Sequence, residues 1–210
     1  MEVNFPKSAP VTRSEKNEVT AKVGDATGNA VPVASGSGTT PQIEMSGDLQ
    51  QIHSDIDNHP SMNRDLKTQF KMLVANACVK AGVSLKDAKG LPDVKDYLPG
   101  KGQDVLEAAS RYQEALNDWA ANNNTNRLFE SEKQKNDFYV QAFKYPYADV
   151  INSNPSAASF VELAIANAMD DIVREDFDND KDYLNAVKNN IELHLEFAGL
   201  IPAKNLEIKS

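Results

Sequence analysis

VLEAASRYQEALNDWAANNNTN, residues 105–126, decides the fold. Val105, Ala109, Tyr112, Leu116 and Trp119 stand three or four apart, which lines them along one face of an α-helix, and the polar run after Trp119 ends it. The same period runs outward in both directions. Towards the N-terminus, Leu49, Ile52 and Ile56 follow Ser46, a good N-cap residue. Leu66, Phe70, Leu73, Ala77 and Ala81 form a second stripe that Gly82 closes. Ser84 and Asp87 have the spacing of a capping box opening a short turn. Leu91 to Leu98 add one or two turns before Pro99-Gly100. Towards the C-terminus a helix is predicted over Leu128 to Phe143, interrupted by Pro146. Asn154-Pro155 opens another helix, in which Phe160, Ala164, Ala168 and Ile172 share a face with Val161, Ile165 and Met169 beside them. The last carries Leu184, Val187, Ile191, Leu195 and Ala198, stopped by Gly199 and Pro202. No strand pattern and no internal repeat follow residue 46. The expected class is all-α, a bundle of about six or seven helices over residues 46–210.

Residues 1–45 differ in character. Ser, Thr, Gly, Ala, Val and Pro dominate, most clearly in AVPVASGSGTTPQ (Ala30 to Gln42). Too little apolar surface is present to offset the entropy of ordering, so a disordered leader is expected. Val19–Val23 and Val31–Val33 are short extended-type pieces suited to pairing with a partner's sheet edge.

The charge balance excludes several classes. A formal net charge of -9 and a pI near 4.8 oppose binding to nucleic acid or to an anionic membrane. No apolar run approaches the ~20 residues of a membrane span. MEVNFPKSAPVT lacks the basic and apolar regions of a cleavable signal peptide. The one cysteine, Cys78, rules out an intramolecular disulfide.

EDFDNDKDYL, residues 175–184, has aspartates at 176, 178, 180 and 182, the alternation that opens a calcium loop. An EF-hand also needs glycine at loop position 6 and glutamate at 12. Starting at Asp176 these positions hold Lys181 and Val187; starting at Asp178 they hold Tyr183 and Asn189. Neither register works. Asp180 and Asp182 suit the start of the last helix, where carboxylates cap amides and oppose the helix dipole. Asp170, Asp171, Glu175 and Asp176 suit their place poorly, because the preceding helix already ends in negative charge. The stretch is read as a solvated acidic helix connection, relieved in sequence only by Arg174 and Lys181; a weak, irregular cation site and docking of a basic partner are the alternatives.

Other candidates are weaker. Cys78 with His194 is the one pair that suggests thiol catalysis, but Cys78 lies near a helix C-terminus, where the dipole disfavours the thiolate. His53, Asp55, Asp57 and His59 alternate in HSDIDNHP; helical spacing spreads them around the cylinder, against a zinc site. Tyr145 and Tyr147 flank Pro146, as a tight helical corner or as an exposed aromatic contact. Trp119 is expected in the core. Lys101-Gly102 lacks the glycine and hydroxyl residue of a phosphate loop, and no hydrolase or kinase motif is present. No cofactor is indicated.

The leader resembles in composition the N-termini of type III secretion substrates. That resemblance implies a bacterial protein secreted without a cleavable signal peptide, whose leader meets a secretion chaperone and whose helical body binds a basic-surfaced protein target. The WxxxE signature of one effector group is absent, since Asn123 follows Trp119 by four residues. The expected docking residues are Asp170, Asp171, Glu175, Asp176, Asp178 and Asp180 with Tyr145 and Tyr147. The alternatives are a cytoplasmic or phage-encoded helical adaptor, and a thiol enzyme using Cys78.

Overall fold

The computed structural model describes residues 43–100 and 104–203. Residues 1–42, most of the expected leader with its candidate pairing strands, lie outside the described residues. Within them the fold is all-helical, with seven α-helices and no strand. They are α1 (Gly47–Asp57), α2 (Arg64–Ala81), α3 (Val105–Asn122), α4 (Glu132–Phe143), α5 (Ala148–Ser153), α6 (Ala158–Asp171) and α7 (Asp180–Phe197). No described helix is long and apolar enough to cross a membrane.

α2 is the centre. It packs against α1, α3, α4, α7 and the turn at Tyr145–Tyr147, and even its polar Thr68, Lys71 and Asn76 are buried. Asn63 caps its start, its side chain accepting from the Leu66 amide at 2.9 Å. Gly82 ends it at φ 65°, in the left-handed region open to glycine. The α3–α4 loop folds down onto this end: the Thr125 amide donates to Ala81 O at 3.0 Å. Trp119 is buried as expected, its indole N–H bonded to Lys89 O at 2.9 Å.

Three local expectations change. α4 begins at Glu132 rather than Leu128, because Ser131 caps it, accepting from the Gln134 amide at 3.2 Å; Leu128 is left in solvent. Pro146 does not simply stop a helix. A 3-10 turn at Tyr145–Tyr147 leads directly into the short α5. On α6 the buried row is Val161, Ala164, Ile165 and Ala168, while Phe160 faces outward. Adjacent apolar rows leave the choice of buried row to packing, and the small Ala164 and Ala168 allow close approach of α7, the neighbour against which α6 packs most extensively.

A Cβ on Gly82 would stand 2.7 Å from Thr125 Oγ1 and 3.2 Å from Arg127 Cβ, whereas one on Gly90, at φ 67°, would meet nothing within 4 Å. Gly90→Ala is therefore expected to cost only the backbone strain, about 1 kcal/mol. Gly82→Ala adds a clash with the loop and should cost roughly 2–4 kcal/mol. Urea unfolding of both variants checks the difference; equal losses would mean that the loop does not press on α2.

Candidate functional site

The acidic turn joins α6 to α7, and the structure divides its residues into two kinds. Asp180 is structural. Its side chain is 12% exposed and pairs with Arg174 and with Lys80 of α2. Arg174 donates through Nε and Nη2 at 3.0 and 2.9 Å, and through Nη1 to Phe177 O at 2.6 Å. Burial alone would raise the Asp180 pKa, but the Lys80 and Arg174 hydrogen bonds outweigh it and hold the carboxyl below its ordinary value. Lys80 also reaches Asn117 of α3 at 3.0 Å, so Asp180 ties the start of α7 to α2 and α3. The helix cap expected of Asp180 falls instead to Asn179, whose extended backbone lets its side chain accept from the Asp182 amide at 3.0 Å.

Asp170, Asp171, Glu175, Asp176 and Asp178 are all exposed, and no side chain among them has a hydrogen-bond or ion-pair partner among the described residues. Asp170 and Asp171 occupy the last turn of α6, where each adverse charge costs about 0.3–1 kcal/mol. Beside them, between α4, α6 and the turn, lies a cavity of about 320 Å³. Tyr139, Val140, Met169, Ile172 and Tyr183 line it, with Val173, half exposed, at its edge. Asp170 and Glu175 belong to the same lining.

Tyr145 and Tyr147 do not join this surface. Both are buried, which corrects the reading of them as a partner contact: the Pro146 turn directs the rings inward. Tyr145 donates to Leu49 O at 3.2 Å and meets the His53 ring edge-on at 5.4 Å. Cys78 is fully buried, and burial pushes its pKa up to about 12. A thiol held neutral and out of reach of substrate removes the basis for the thiol-enzyme alternative.

A second cluster combines residues that the sequence analysis kept apart. His53 and Asp57, one turn apart on α1, meet Lys71 of α2 and Asp149 of α5. His53 Nε2 lies 3.0 Å from Asp57 and 3.1 Å from Asp149. Lys71 Nζ lies 2.7 Å from Asp57 and 3.3 Å from Asp149. Among the described residues His53, Asp57 and Asp149 are the one trio with metal-ligand atoms close together. The Lys71 ammonium, 3.2 Å from His53 Nε2 as well, already supplies the cation these groups face. The 53–57 spacing is that of neighbours on a helix face, but Lys71 and Asp149 are 78 residues apart in sequence and no local pattern joins them.

No protein-family model, curated protein or solved structure matches the chain.

Burial would lower the His53 pKa, but hydrogen bonds to Asp149 and Asp57 outweigh it, so the pKa is raised above 6.5. A raised folded pKa contributes stability that is full below the unfolded value, about 6.5, and is lost as pH rises through the folded value. Stability should thus decline as pH rises above that unfolded value, and His53→Gln should flatten the decline. Urea midpoints across this range measure it; the same slope in the variant would contradict the assignment.

Proposed function

We propose that the helical body is a protein-docking module, and that the chain acts as a secreted, type III-like effector or secretion-associated protein whose body engages a basic-surfaced target. The observation that carries the docking half is the group of five exposed, unpaired carboxylates at the end of α6 and in the turn. Among the described residues nothing pairs with them, and two oppose the dipole of their own helix. Sites that break a local stability rule without compensation are where function is expected. The secretion half is supported by the composition of residues 1–45 and its resemblance to type III secretion substrates; a chaperone for that leader is part of the same proposal.

Each half has its own test. Residues 1–45 fused to a reporter should be exported by a type III-competent bacterium and retained by an export-null sibling; retention in both would move the proposal to an adaptor within the cell of origin. For docking, a short oligolysine titrated into the full chain should shift the amide resonances of residues 170–178 at low salt. Charge reversal at Asp170, Asp171, Glu175, Asp176 and Asp178 should abolish the shifts while leaving the helical circular dichroism intact. Asp180 is excluded from that set because it holds α7. Shifts that survive the reversal would overturn the docking surface.

A further inference from the structure

Resting on the docking function just proposed, we infer that the partner presents a short basic segment carrying one large apolar side chain, and that this side chain lodges in the cavity between α4, α6 and the acidic turn. The cavity has the two properties that such a segment requires. Part of its lining is apolar surface the fold leaves incompletely covered, since Tyr139, Val140, Met169 and Ile172 touch the core but are only partly buried, beside polar Asn136 and the charged residues of its rim. α4 leaves this gap because it buries only Ala142 and Phe143, both at its C-terminal end. At about 320 Å³ the space is at the small end of ligand pockets, suited to a side chain rather than to a folded surface.

The charge beside the cavity fixes the rest of the partner's chemistry. Its two nearby cations are engaged: Arg174 with Asp180 and Phe177 O, over the Tyr183 ring at 5.7 Å, and Lys135 with Glu132 at 3.4 Å. Asp170 and Glu175 have no such partner among the described residues and stand beside partly apolar protein surface, which screens their field less than water would. Acidic peptides and anionic lipid are repelled. An uncharged apolar ligand would leave the carboxylates unmatched, whereas lysine or arginine on either side of the apolar residue meets them.

Two peptides of equal positive charge test this, one with leucine between lysines and arginines, the other with serine in its place. Titrated into the full chain and followed by amide NMR, the leucine peptide should bind about tenfold tighter and shift Tyr139, Val140 and Met169 as well as the acidic residues. Val173→Ser and, separately, Val140→Thr should reduce that advantage and leave the serine peptide unaffected. Equal affinities, with shifts confined to residues 170–178, would overturn the cavity while sparing the acidic docking surface. If neither peptide shifts residues 170–178, the docking proposal fails and this inference with it.

Discussion

The body closes around α2, and its buried Lys71 draws two further elements to it. Lys71 sits in the middle of α2 with its side chain 4% exposed, where an unpaired ammonium would be intolerable. Its match comes from two directions: Asp57 ends α1 and Asp149 lies in the first turn of α5. Meeting Lys71 therefore ties both elements to the central helix, with the ammonium buried and its partners more open, Asp57 at 31% and Asp149 at 65% exposed. Losing Asp57 would leave the buried ammonium without its nearest counter-charge, the costly half of breaking such a pair, whereas the exposed Asp149 contributes less. α5 in turn leads through the Pro155 turn into α6. Asp149 thus ties α5, the element that precedes α6, to α2.

The turn repeats the same logic with the opposite result. Two cations, Lys80 and Arg174, converge on Asp180 and lock the start of α7 to α2. With both taken up by Asp180, the exposed acids around it have no ion-pair partner among the described residues. Asp170 and Asp171 then carry their charge where the helix dipole opposes it. The structural and the exposed acids are neighbours, yet they differ in burial, in partners and in what their loss would do.

Much of this architecture is legible in the sequence, and its failures have physical causes. Spacings of three and four residues locate five of the seven helices, because burial of one helical face is a local, periodic requirement, while α4 is expected without such a stripe. The short α5 escapes because its single turn is too brief to show a period. Phe160 is misplaced because two apolar rows run side by side on α6, and only contact with α7 selects between them. Leu128 is misplaced because the cap at Ser131, marked by Gln134 three residues on, outranks the apolar residue upstream. Asp180 and the Lys71 cluster could not be read at all: Lys80 and Asp180 are 100 residues apart in sequence, and His53 and Asp149 are 96 apart. The exposed acids of the turn are readable for the converse reason, since the poor fit of Asp170 and Asp171 to a helix end is itself local.

An acidic rim beside a partly apolar cavity is what the proposed docking function rests on. The central claim is that Asp170, Asp171, Glu175 and Asp176 are kept for a partner and at the expense of the fold. Thermal unfolding of a variant with all four converted to Asn or Gln tests it most directly. The account predicts a Tm higher than that of the parent at low salt, by about 2–4 °C, equivalent to about 1 kcal/mol for a chain of this size, with the gain fading as salt screens the charges. A variant that melts lower at every salt concentration would show that the carboxylates serve the fold, and would contradict the claim.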